Sequence, residues 1–107
     1  MAQTLQIEEL PLDVSPSAVT TFCEKWKVKE LALFGSVLRE DFGPNSDVDV
    51  LVTFEADVPW SLWDWGAMLD ELKSVFGRNV DLVEKDAVRN PLRRGAMLRE
   101  HRIIYAA

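Results

Sequence analysis

The sequence predicts a small α/β (α+β) domain, a mixed sheet of about four strands with helices packed on it. Three observations carry this. The chain has 107 residues, the length of one domain with room for one modest core. Stretches with apolar residues at helical spacing alternate with short β-branched runs. Clusters of turn formers separate them.

A first helix opens at Ser15, with Pro16 at the first helical position, where a missing N–H costs nothing. Val19, Phe22 and Trp26 follow at helical spacing. Leu31-Ala32-Leu33-Phe34 is an apolar run that stops at Gly35-Ser36 and reads as a buried strand handing over to a short helix. The segment from Asp41 to Ser46 is dense in turn formers. Val48 to Phe54 is rich in β-branched residues and predicts a second strand. Leu62, Trp65, Leu69, Leu72 and Phe76 mark one face of a helix that Gly77 stops. Val80-Asp81-Leu82-Val83 is a third strand. Asn90-Pro91 supplies the N-cap and first position of a last helix, which ends before a fourth strand at Ile103-Ile104-Tyr105. No repeat or linker divides the chain, so residues 1–107 are expected to form a single domain.

Composition narrows the function. With 48% hydrophobic and 28% charged residues, the chain is globular rather than disordered. Twelve Lys+Arg against eighteen Asp+Glu give a net charge of −6, which speaks against direct nucleic-acid binding. Cys23 is the single cysteine, so neither a disulfide framework nor a cysteine-rich zinc site is expected. No apolar run approaches a membrane span, and the N-terminus has no signal-like apolar stretch, which predicts a cytoplasmic protein with no membrane contact. The charge is unevenly placed. Glu40, Asp41, Asp47, Asp49, Glu55 and Asp57 fall in a stretch with no basic residue, whereas Arg89, Arg93, Arg94, Arg99 and Arg102 crowd the C-terminal part. That asymmetry suggests a cation-binding region in the middle and a basic segment near the end.

The residues that carry chemistry lie at the strand ends. Side chains alternate along a strand, so Asp47 and Asp49 project from one face. Two carboxylates so placed repel each other unless a hard cation sits between them. Asp81 is an acid embedded in an apolar strand and needs a cation partner for the same reason. Three carboxylates on neighbouring strands can hold two Mg²⁺ ions, which clamp the attacking and leaving oxygens of a phosphoryl transfer. Gly35 lets backbone approach a ligand closely, free N–H groups at a helix start attract phosphate, and the Ser36 hydroxyl can add a hydrogen bond. Arg39, one turn further on, can pair with phosphate or with a neighbouring acid.

Leu33-Phe34-Gly35-Ser36-x-x-Arg39, followed by Ser46-Asp47-Val48-Asp49-Val50-Leu51-Val52, resembles the signature of the polymerase-beta-type nucleotidyltransferase superfamily, and more narrowly the minimal nucleotidyltransferase (MNT) family. The similarity extends through Gly77-Arg78-Asn79-Val80-Asp81-Leu82-Val83 to the Asn90-Pro91 helix, covering about residues 28–105. The Gly-Ser-x10-Asp-x-Asp spacing is intact, as is the third acid. The resemblance implies transfer of a nucleoside monophosphate from a nucleoside triphosphate, ATP by family analogy, with loss of pyrophosphate. Asp47 and Asp49 would ligate both Mg²⁺ ions, Asp81 would complete the site of the ion that activates the acceptor hydroxyl, and Gly35 and Ser36 would hold the triphosphate. Members of this family are antitoxins of two-gene modules whose other product is a HEPN-domain toxin, and the resemblance implies adenylylation of a tyrosine on that toxin.

Two other readings stay open on the sequence. One is a non-catalytic antitoxin that neutralises its toxin by stoichiometric contact. The other is a small-molecule nucleotidyltransferase working as a homodimer. A chain this short is expected to have its acceptor presented by another chain, or by a second copy of itself. Outside the motif, Trp65 falls on the apolar face of its helix and reads as core, whereas Trp63 is either an interface residue or turned inward by a loop irregularity. The C-terminal arginines read as solvated surface or as phosphate or partner contacts. His101 reads as a surface residue, and Cys23 as a small buried thiol.

Overall fold

The computed structural model describes residues 3–4, 10, 12–39, 42–43 and 45–107. Its elements are β1 (Gln3–Thr4), α1 (Pro16–Lys25), β2 (Val28–Phe34), a 3₁₀ turn (Gly35–Leu38), β3 (Val48–Phe54), α2 (Leu62–Phe76), β4 (Val80–Glu84), a second 3₁₀ turn (Lys85–Ala87), α3 (Pro91–Arg99) and β5 (His101–Ala106). The predicted order of elements is present. The four predicted strands form one mixed sheet, joined at its edge by the two-residue β1, which the sequence did not suggest. The strand order is β1-β5-β2-β3-β4. β2 runs antiparallel to both β3 and β5, and β3 runs parallel to β4. The predicted turn at Asp41–Ser46 falls partly outside the described residues, which omit Asp41 and Pro44.

Strand alternation divides the apolar residues between two faces. Leu31, Leu33, Val48, Val50, Val52, Val80 and Leu82 join α1 and α2 in the main core. Ala32 and Leu51 turn the other way, against Met97 of α3 in a smaller cluster. Asp49 stands between Val48 and Val50, and Asp81 between Val80 and Leu82, so both carboxylates are on the α3 face.

The helix ends follow from local chemistry. Ser61 and Asp64 close α2 with a reciprocal capping box, and Gly77 ends it at φ 68°, a conformation that suits glycine. The Asn90 side chain accepts from the N–H groups of Leu92 and Arg93 at the start of α3. Glu71 of α2 accepts from Lys25 Nζ at 2.6 Å and from the indole N–H of buried Trp26 at 2.5 Å, tying α2 to α1. Cys23 is buried, and burial holds its thiol well above the ordinary range, so it is protonated and inert. His101 is half-buried, and its ring Nδ1–H donates to the Leu98 carbonyl at 2.6 Å, closing the end of α3. Among the described residues, no helix is long and apolar enough to cross a membrane.

Candidate active site

Topology gathers the motif. The antiparallel β2–β3 register sets Phe34 opposite Asp49, so the Gly35-Ser36 turn leaving β2 lands at the start of β3. The parallel β3–β4 register sets Asp49 opposite Asp81. Gly35, Ser36, Asp49 and Asp81 therefore meet at one end of strands β2, β3 and β4, although Asp81 is far from the others in sequence.

Asp49 is the centre of the group. Burial raises its pKa, and the neighbouring Asp81 and, less strongly, Asp47 raise it further. The Ser36 backbone N–H and the Arg39 guanidinium oppose these effects. A β-carbon at Gly35, whose φ is 74°, would run into the Asp49 carboxylate. Glycine is needed there on both counts. The predicted short helix is a single 3₁₀ turn, with Arg39 in extended backbone after it. The Ser36 N–H thus serves the Asp49 carboxylate, and the Ser36 hydroxyl donates to the Asp47 carbonyl at 3.4 Å.

Asp47 is exposed on the loop before β3. Arg78, in the turn between α2 and β4, holds that loop. Its guanidinium donates to the carbonyls of Gly43 at 2.9 Å and Ser46 at 3.1 Å, and it stacks 4.6 Å over the Phe42 ring. Arg78 stands within the quoted motif, yet its positioning role depends on a tertiary contact that no spacing reveals.

A cleft of about 360 Å³ opens between the Gly35-Ser36 turn and α3, lined among others by Phe34, Arg39, Asp49, Arg93 and Met97. Two guanidinium groups, Arg39 and Arg93, and two carboxylates, Asp49 and Glu100, thus face one cavity. Arg93 is the member of the C-terminal arginine cluster that reaches it. Arg94 instead donates to the Lys85 carbonyl at 2.6 Å and is structural.

Among the described residues, no three Asp, Glu, His or Cys side chains converge into a ready metal cluster. The predicted triad is arranged as a register pair, Asp49 and Asp81, with Asp47 beside it on the loop. Hard oxygen donors and the like-charge repulsion felt at Asp49 suit a divalent cation such as Mg²⁺.

Comparison with known proteins agrees with this geometry. Residues 16–104 match the family model described as a nucleotidyltransferase domain. The chain is 36% identical over 77 residues to the protein adenylyltransferase MntA of Thermococcus cleftensis, covering 72% of this chain and 75% of the relative. A solved structure described as a minimal nucleotidyltransferase is 32% identical with a TM-score of 0.64, over 79% of this chain and 84% of that one. A chain of the solved complex of tri-AMPylated Shewanella oneidensis HEPN toxin with MNT antitoxin shares the fold at 18% identity, with a TM-score of 0.61 over 85% of this chain and 69% of that one. The chain therefore belongs to the nucleotidyltransferase domain family, among its minimal nucleotidyltransferases.

Proposed function

We propose that this nucleotidyltransferase moves AMP from ATP to a tyrosine hydroxyl of a HEPN-type toxin and thereby acts as its antitoxin in the cytoplasm, with residues 1–107 as one domain. The observation that carries the reading is the register pairing of Asp49 with Asp81 beside the Gly35-Ser36 turn, at the mouth of a cleft that two arginines line. The protein adenylyltransferase name of the Thermococcus relative supports AMP transfer, and the MNT–HEPN complex supports the partner.

In this reading, Gly35, Ser36 and Arg39 hold the triphosphate, Gly35 because its missing side chain leaves room beside Asp49. Asp47 and Asp49 would hold two Mg²⁺ ions, with Asp81 as a further carboxylate ligand beside Asp49. When bound, the metal supplies charge neutralisation at the phosphates and lowers the pKa of the acceptor hydroxyl. The acceptor oxygen bonds to the α-phosphorus, the bond from that phosphorus to the bridging oxygen of pyrophosphate breaks, and the hydroxyl proton is lost to solvent. Arg39 and Arg93 lie where they can meet phosphate charge.

Incubation with ATP, Mg²⁺ and a HEPN-type toxin protein, followed by mass spectrometry of that protein, tests the proposal. The expected result is a mass gain of one or more AMP units with the wild type and none with Asp47→Asn. Neutralisation of the toxin with no mass change overturns the transfer reading.

A further inference from the structure

β4 is an outer strand, pairing among the described residues with β3 alone. Along its free edge runs a second groove of about 520 Å³, to which Leu62, Trp65, Leu82, Val88 and Arg93 contribute. Arg93 lines this groove and the catalytic cleft alike, so the two are contiguous. The first turns of α2 and α3 border it at Leu62 and Asn90. Those turns carry the large apolar side chains that stand in solvent: Leu62 at 86% exposure, Trp63 at 90% and Leu92 at 84%. Leu62 lines the groove itself, and Trp63 and Leu92 adjoin the lining residues Leu62 and Arg93 in the chain; exposed large apolar side chains of this kind mark an interaction site. Trp63 has no packing role in this fold.

Charge selects the occupant. The groove lining contains Arg89 and Arg93 against one acid, Glu84, a local positive balance on a chain of net charge −6. A two-fold pairing of two copies would set this patch against itself, arginine facing arginine. An acidic, apolar surface of a different protein fits better. The geometry points to this groove as the docking site for the acceptor protein: a segment whose apolar side chains cover Leu62, Trp63 and Leu92 and whose carboxylates meet Arg89 and Arg93. Strand rise is about 3.3 Å per residue, so Val83 of the groove lining, which shares the α3 face of β4 with Asp81, lies about 7 Å from it along the strand. A segment seated on the groove therefore delivers a neighbouring hydroxyl to the carboxylate pair. This inference rests on the transfer reading above for the identity of the acceptor.

The test uses Leu62→Glu/Trp63→Glu and Leu92→Glu, whose side chains are too exposed to affect folding. Calorimetric binding to the HEPN-type toxin protein is measured alongside AMP-transfer kinetics. The expected result is binding about tenfold or more weaker, with a matching rise in KM for the protein acceptor. The kcat and the KM for ATP stay within about twofold. Unchanged affinity and KM in a wild type that transfers AMP overturn the groove and leave the transfer reading standing. Weakened binding in the variants, together with a wild type that transfers nothing, keeps the groove and overturns transfer. Failure of the wild type to bind the toxin overturns the groove, as does sedimentation showing that the variants only dissociate a homodimer.

Discussion

Gly35 lies so close to Asp49 that any side chain at residue 35 would occupy the space of the Asp49 carboxylate. Gly35→Ala must therefore either displace Asp49 or shift the turn, and it also strains a φ of 74°. The expected cost is roughly 1–3 kcal/mol in stability and a loss of about a hundredfold or more in AMP transfer, because misplacement of about 1 Å is enough for that. Urea titration and transfer assays on the same preparation check the two effects.

Asp49 and Asp81 are both expected to be needed for transfer. Asn at either position abolishes transfer by about a hundredfold or more, since several kcal/mol of charge stabilisation rest on the pair. Asp49→Asn also stabilises the metal-free protein. The folded chain holds the Asp49 proton more tightly than the unfolded chain, because burial and the neighbouring acids raise its pKa. This site thus favours the fold below the unfolded carboxylate range, near pH 4, and loses that advantage as pH rises through the folded value. A neutral Asn avoids the loss. Thermal melts in chelator should place Asp49→Asn above the wild type at pH 7, with the gap closing toward pH 4. A lower melting point at pH 7 contradicts the assignment.

Arg78 holds the loop that carries Asp47. Arg78→Met removes two hydrogen bonds and a ring contact, and transfer is expected to fall about tenfold through kcat while the KM for the protein acceptor holds. Lys can reach one carbonyl at a time and lacks the planar fork, so Arg78→Lys should recover part of the loss. Steady-state kinetics on both variants decide it.

Glu71 tests the α1–α2 contact apart from the site. Glu71→Leu leaves the buried Trp26 indole N–H without its acceptor, at a cost of roughly 1–3 kcal/mol. Glu71→Gln keeps an oxygen in place and should cost less. Activity per folded molecule is expected to be unchanged in both, which denaturant curves paired with transfer assays will show.

The elements most legible in the sequence were those with the strongest pattern. The strand Val48–Phe54 and the helix Leu62–Phe76 have the predicted bounds. β2 starts earlier than its apolar run, because Val28-Lys29-Glu30 are drawn into pairing after a left-handed turn at Lys27. β5 likewise begins at polar His101 and Arg102, opposite Phe34 and Leu33. The two-residue β1 owes its existence to the edge of β5 and has no local signal. At the site, the joint spacing and the family resemblance it carries offered Ser36, Asp47, Asp49 and Asp81 as candidates, and the strand register brings Ser36, Asp49 and Asp81 together. The Arg78 clamp and the reach of Arg93 depend on where loops and helices land in space, which residue order does not record.

The parallel β3–β4 register has a further consequence. Successive strand residues face opposite ways, so a slip of one residue in β4 would drive Asp81 into the apolar core and lift Val80 or Leu82 toward the cleft. The same pairing that seals the main core thus proofreads the candidate site. A chain that folds with β4 out of step buries a charge and exposes a core residue at once, so an inactive register is also an unstable one.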